Sequence, residues 1–427
     1  MLIGLLTVIA CNNDDHDLTI FVESFEWDKD VWEQTVDIKT NGKWSVSTDI
    51  DWCGPYQSQG ENDKRITLWV KPNLTSTART GTLTIKSGGS TKTIALSQPA
   101  FTGSLEDFSY QLPVIFHILY KDRNDALQYP AKGRMAEILK GVNQLYADNK
   151  MNVQFVMAKF DQDGNELEEP GVIREEVTFD SISCMKFLDD DNKDYGYLNQ
   201  DLQRYINIFV FTYSEEKTLG VSDLPVMPTE HTLDGLSDQA GKELQTFKTL
   251  SFPWGVTVNN NYIDQKQEVN TVNPLYVTLT LAHELGHYIG LLHTFSQDEC
   301  NEDDYCDDTK NCDYNAYETQ LNKYMEETLA KGEQLVAATV LRRISCEDGT
   351  EYRADNILDY MYTLGNVFTE QQKKRVHTVL NYCPMTPGPK VETYNTVNSR
   401  ATDYFIEPRL SDCPEINGNA NGNGNKR

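Results

Sequence analysis

The chain is poor in histidine, in positive charge and in long apolar runs. It holds only 7 histidines, and 38 Lys and Arg stand against 65 Asp and Glu, a formal net charge of −27. That excess of negative charge argues against nucleic acid and anionic membrane surfaces as partners. No stretch reaches the ~20 consecutive apolar residues of a membrane-spanning helix. Cysteine is present in 9 copies, yet no two form a C-x-x-C pair, which speaks against a metal site built of thiolates. EF-hand spacing is absent too. Aromatic residues are plentiful, with 22 Tyr and 16 Phe, so most of the 427 residues should fold, in two or three domains.

Residues 1–10 are nearly all apolar and end at Val8-Ile9-Ala10-Cys11, followed by polar Asn12 to Asp17. This looks like a bacterial lipoprotein signal whose lipobox cysteine, Cys11, is lipidated. The usual basic n-region is missing, so a misplaced start codon and a coincidental apolar N-terminus stand as alternatives. A lipoprotein would begin at Cys11 and meet the membrane by its lipid anchor only. Its expected place is the cell envelope, as an outer-membrane lipoprotein, and the acidic stretch after Cys11 favours the outside. Export permits disulfides. Cys300, Cys306, Cys312, Cys346 and Cys383 cluster in sequence and predict one or two bridges of open connectivity.

Residues 18–100 read as short strands rich in Val, Ile, Thr and Trp. Asn41-Gly42 and Gly88-Gly89 between them are hairpin signals. About 80 residues of this kind make a small immunoglobulin-like β-sandwich. Lys43-Trp44-Ser45-Val46-Ser47, Asp51-Trp52-Cys53 and the closing residues 94–98 resemble a BACON domain. The resemblance implies a spacer or a binder of glycans or mucin, according to whether the tryptophans are core or sugar platform.

The strongest signal is His283-Glu284-Leu285-Gly286-His287-Tyr288-Ile289-Gly290-Leu291-Leu292-His293, which fits H-E-x-x-H-x-x-G-x-x-H. Histidines four apart share one face of a helix and reach one metal ion. Asn273 as N-cap and Pro274 at the first helical position would start that helix. Gly290 permits a sharp turn that brings His293 in from another direction. Three nitrogen ligands with a fourth position left for water describe a catalytic zinc. Glu284, beside the first ligand, is the natural general base for a water on that zinc.

Residues 101–111 read as a linker and 112–120 as a buried strand, with His117 as a core residue. A helix is expected over 130–147, and strands over 152–160, 205–212 and 254–258, giving an α/β order with a helix on each face. A long charged helix is expected over 317–344. A closing helix over 368–382 starts at Thr369, with Gln372 completing a capping box and His377 on the surface. Residues 386–427 are a tail, disordered at its Asn/Gly-rich end.

This order and the zinc motif resemble the metzincin metallopeptidases, and within them the pappalysin-like branch. Residues 112–120, 205–210 and 220–225 are similar to that family's opening strand, a later strand and the edge strand that binds substrate. Residues 290–295, followed by Asp307-Asp308-Thr309, are similar to its third-ligand loop. The resemblance covers roughly 112–383. It implies a methionine turn at residues 355–361, where this chain carries Leu358 in place of the methionine and Met361 three residues on. Either residue would supply the apolar floor under the zinc. Tyr360 aligns with a family tyrosine that hydrogen-bonds the substrate carbonyl as it becomes an oxyanion; a packing tyrosine is the alternative. The acidic loop holding Asp307, Asp308 and Thr309 suits calcium, or is simply solvated.

The expected protein is therefore multidomain. A lipoprotein signal at 1–11 and an all-β immunoglobulin-like sandwich at 18–100 precede a linker at 101–111. An α/β metzincin-like zincin catalytic domain at 112–385 and a tail at 386–427 follow. Its expected activity is zinc-dependent endopeptidase action on a protein or peptide. The rival is a glycan- or mucin-binding surface lipoprotein with a latent or highly selective zinc domain; hydrolysis of a non-protein amide would use the same chemistry.

Overall fold

The computed structural model describes residues 18–27, 33–71, 73, 76–103, 108–238, 250–265, 276–297, 299–360, 362–388, 390 and 410–412. The chain divides into two compact units, Met1–Gly103 with Asp163–Asn165, and Ser104–Gln162 with Glu166–Arg427. The first is mostly β and the second is α/β. Residues 1–17, with Cys11, lie outside the described residues.

The first unit contains β1 (Ser24–Glu26), β2 (Glu33–Ile38), β3 (Lys43–Thr48), β4 (Cys53–Pro55), β5 (Gln59–Glu61), β6 (Lys64–Val70), β7 (Arg79–Ser87) and β8 (Ser90–Gln98). They form one sheet in the order β1-β8-β7-β3-β5 and another in the order β2-β6-β4. Alternation along the strands sends Ile38, Val46, Ile66, Leu68, Ile85, Ile94 and Leu96 from both sheets into a single core. Gly88, at φ 55°, closes the expected β7–β8 hairpin. Asn41-Gly42 closes none. β2 pairs with β6 and β3 with β7, so the chain changes sheets there. Trp27, Trp44 and Trp52 are buried in the core.

The second unit is built on β9 (Tyr110–Tyr120), which begins inside the expected linker and is apolar enough to be covered on both faces. β10 (Val153–Met157), β11 (Val172–Glu176) and β12 (Ile206–Phe211) all pair with it in parallel. β14 (Val256–Asn259) continues in parallel beyond β12, and β13 (Gly220–Asp223) lies antiparallel outside β14. The helices α1 (Arg134–Asp148) and α3 (Val277–Tyr288) do not take opposite faces. They touch: Tyr146 donates to the Ala282 carbonyl at 3.1 Å, and Gly141 leaves no room for a Cβ beside Thr278. α2 (Cys184–Leu188) contributes Phe187 to an aromatic cluster with Phe209 and Phe211.

The long charged helix expected over 317–344 ends early. α4 (Tyr314–Ala330) is capped by the Asp313 carboxylate and stops at Gly332, whose φ of 70° lets Gly332 N–H bond back to Leu329 and Glu333 N–H to Thr328. A short α5 (Ala337–Val340) and a hairpin of β15 (Arg342–Ile344) and β16 (Glu351–Arg353) follow. α6 (Glu370–Tyr382) has the expected capping box of Thr369 and Gln372. His377 on it is buried rather than on the surface, because its Nε2 meets the Met151 carbonyl at 2.8 Å and its ring meets Tyr110. One bridge forms in the cysteine cluster, Cys300–Cys346, while Cys306, Cys312 and Cys383 are buried thiols.

His117 is a core residue. Its Nε2 lies 2.9 Å from Asn207 Oδ1, its ring stacks on Phe209, and burial pulls its pKa down to about 4. A histidine titrating lower in the folded than in the unfolded chain takes up a proton on unfolding between those two values. Its contribution to stability is therefore lost as pH falls from about 6.5 towards 4. In His117→Gln the dependence of unfolding free energy on pH across this window should weaken by about one proton. Denaturant titrations at stepped pH measure it, and an unchanged slope would contradict the assignment.

Candidate metal centre

α3 is apolar on nearly every side and buried throughout most of its length, which suits a helix sandwiched between a sheet and a loop layer. Its N-cap position is Tyr276, whose side chain makes no capping bond, and Asn273 and Pro274 fall outside the described residues. The far end is better defined. Gly290 adopts φ 100°, its N–H bonds to the His287 carbonyl at 2.8 Å, and Leu291 N–H bonds to Gly286 at 2.9 Å. That pair of bonds is a Schellman motif, and it reverses the chain. A Cβ on Gly290 would sit 2.4 Å from Val379, so α6 closes on the turn as well.

The turn carries His293 back towards the helix. Nε2 of His283, His287 and His293 lie 3.0, 3.0 and 3.2 Å from one another. The Nδ1–H of His283 donates to the Ile357 carbonyl and that of His287 to the Leu291 carbonyl, each at 2.8 Å. A carbonyl only accepts, so both Nδ1 atoms carry the proton and both Nε2 atoms offer lone pairs. Burial draws His283 down to about 4, and burial with the neighbouring imidazoles draws His287 and His293 well below the usual histidine range. All three are thus neutral donors at pH 7. Nitrogens bonded to zinc at ~2.0–2.1 Å with tetrahedral angles stand about 3.3–3.4 Å apart. The observed spacing is within a few tenths of an ångström of that, and the donor set fits zinc.

Around the trio, Leu358 is fully buried beneath α3, 3.2 Å from where a Cβ on Gly286 would be. Met361 lies outside the described residues. Asn356 fastens this turn by accepting from Leu358 N–H at 2.8 Å and bonding Gln372 of α6. Glu284 is buried on the side of α3 that faces the sheet. A Cβ on Gly220 of β13 would lie 2.7 Å from Glu284 Cγ, so only glycine lets the two come this close. Tyr360 stands beside the imidazoles, its ring 4.4 Å from His293 and 6.1 Å from His283. Its carbonyl accepts from Arg343 at 3.2 Å, and the Arg343 guanidinium lies 3.4 Å over the Tyr317 ring.

Gly220 and Arg343 are the two residues missed in the sequence. Gly220 was read only as the start of the edge strand over 220–225, not as the residue packed on Glu284, and Arg343 fell inside the supposed long helix. Asp307, Asp308 and Thr309 each have protein partners. Asp308 accepts from Gln371 N–H at the start of α6, Asp307 N–H donates to the Gln371 side chain, and Thr309 donates to Asp304. Among the described residues, the acidic and histidine groups that converge are the His283–His287–His293 trio and the surface run Asp189, Asp190, Asp191.

Residues 253–381 match the peptidase M43 family, described as pregnancy-associated plasma protein-A. Residues 42–99 match the BACON family, described as a putative binding domain, N-terminal. The M43 match supports a metallopeptidase hydrolase, and with the three-histidine group it supports zinc. Solved structures that are similar include Tannerella forsythia mature mirolysin in complex with a cleaved peptide, at 19% identity and TM-score 0.42, over 64% of this chain and 91% of that one. A Tannerella forsythia promirolysin mutant is similar at 18% identity and TM-score 0.44, over 65% and 83%. A protein from Bacteroides thetaiotaomicron covers 23% of this chain and 98% of its own, at 12% identity and TM-score 0.16. No curated protein matches. These likenesses are too distant to carry a function.

The third imidazole depends on the left-handed turn. Gly290→Ala should weaken zinc retention by about 10- to 100-fold in competition with a chelator, comparable to loss of an outer-shell support. Unaltered zinc affinity with unaltered helix content would show that the turn does not set the ligand.

Proposed function

We propose that the second unit is a metzincin-like zinc endopeptidase. The observation that carries the reading is the convergence of three neutral Nε2 atoms, from His283, His287 and His293, on a helix where the buried Glu284 directly follows the first of them. His283, His287 and His293 would hold the zinc ion. When bound, zinc supplies a Lewis acid for the scissile carbonyl and makes the attacking water more acidic. Glu284 takes the proton from that water at a carboxylate oxygen and returns it to the leaving amine. Its burial keeps the exchange away from bulk solvent. β13 presents backbone groups along its outer edge, where a peptide adds as an antiparallel strand. Tyr360 donates its phenolic hydrogen to the substrate carbonyl oxygen as negative charge develops there. Leu358 serves as the floor in place of a methionine.

The first unit is read as an immunoglobulin-like spacer, since its buried tryptophans pack the core rather than form a sugar platform. Cys11 is read as the lipid attachment point, placing the enzyme in the cell envelope.

Purified protein should carry about one zinc per chain and cleave a quenched-peptide library. In Glu284→Ala the zinc should remain while turnover falls by about 10²- to 10⁴-fold. Tyr360→Phe should lose up to about 10²-fold in kcat with little change in KM. Gly220→Ala, which crowds Glu284 without touching an imidazole, should keep its zinc and lose on the order of 10²-fold. Protein without zinc would end this reading. Zinc without cleavage of any peptide would move it to a latent or non-peptide amidase.

A further inference from the structure

The outer edge of β13 is occupied in this structure. β17 (Leu410–Asp412), from the C-terminal part of the same chain, pairs antiparallel with it in the register Val221 to Asp412, Ser222 to Ser411 and Asp223 to Leu410. The inner edge belongs to β14: Asp223 N–H donates to the Gly255 carbonyl at 3.0 Å, and Asn259 N–H to Leu219 at 2.8 Å. Successive residues of a strand turn their N–H and C=O groups to opposite edges. Gly220 and Ser222 therefore present theirs outward, and Ser222 with Ser411 is the hydrogen-bonded pair. Gly220, one residue along from the last pair, is the residue against which Glu284 is packed.

We propose that the C-terminal segment Leu410–Asp412 is an intramolecular occupant of the strand edge on which substrate peptides add, competing with them for β13. The inference rests on the reading of β13 as the substrate edge. The segment runs antiparallel to the strand and uses the backbone groups that an added peptide would use, and its last described pair, Val221 with Asp412, is one residue from Gly220. Its hold is weak by construction. Three paired residues make too little strand to be stable alone. Connection through residues 383–409 of the same chain supplies an effective concentration on the order of millimolar, comparable to the dissociation constant that such a short strand would have. The segment thus occupies the edge for much of the time and yields to a peptide that binds more tightly.

The test compares the full chain with Ser411→Pro, which removes the N–H of the paired residue, and with a chain ending at residue 409. Amide exchange at Ser222, followed in the Glu284→Ala background so that no chain is cut, reports docking without any need for turnover. Protection of Ser222 in the full-length Glu284→Ala chain, lost in both tail variants, is the expected result; equal exchange in all three overturns the proposal. With Glu284 intact, both tail variants should show a KM for a quenched peptide lowered by about two- to tenfold at unchanged kcat. Loss of protection with no fall in KM would refute competition at the substrate edge. If no variant cleaves peptide, the endopeptidase reading and the competition both fail, while the exchange data still decide whether the segment docks.

Discussion

Three neutral imidazole nitrogens held within 3.2 Å of one another are the constraint on which the second unit depends. Lone pairs turned towards one another repel, and a cation among them would offset that repulsion. What the chain itself contributes is the holding of the rings. Helical spacing supplies two, the Schellman turn at Gly290 supplies the third, and the Ile357 and Leu291 carbonyls set the protons on Nδ1 of His283 and His287. The turn is in turn closed by Val379 of α6, so the place of a ligand reaches back to a helix whose start is fastened by Thr369 and Gln372.

The same helix has to face two ways. Adjacent residues on a helix point about 100° apart, so His283 can look towards the loop layer while Glu284 looks towards the sheet. Strand order completes the arrangement. β13 follows β12 in sequence but lies outside β14, leaving the short antiparallel strand beyond the parallel ones. Gly220 on that strand then lets the sheet close on the carboxylate. Strand edge and buried carboxylate are brought together by a residue with no side chain.

The zinc stretch was legible because its chemistry demands fixed residue types at fixed offsets, and the strand β9 because eleven residues with little polarity leave few other fates. The capping box of α6 was legible for the same local reason. What could not be read was non-local. Asn41-Gly42 has the composition of a hairpin, but β2 found its partner in β6. His377 looked like a surface residue of a polar helix until Met151 and Tyr110, distant in sequence, covered it. Helices α1 and α3 were expected on opposite faces, and they lie side by side, with Thr278 fitted against Gly141 and Tyr146 bonded to the Ala282 carbonyl. The end of α4 was a different miss: Gly332 was in plain view as a stop signal and the amphipathic pattern was carried past it.

That last miss concealed a structural link to the site. Ending α4 at Gly332 frees residues 337–353 to form a short helix and a hairpin, and the hairpin delivers Arg343 into the interior. A buried guanidinium is tolerated only when its donors and charge are met. Here Val340 and Tyr360 carbonyls accept from it, Tyr317 lies beneath its face, and Asp359 provides opposite charge. Burial still holds the Asp359 carboxyl above the usual carboxylate range, against the pull of Arg343. One of the groups that meet Arg343 is thus the backbone carbonyl of Tyr360, the residue whose ring lies against His293. Satisfying a buried charge and placing an aromatic side chain at the metal centre are one interaction, so the hairpin is part of the architecture that positions the site.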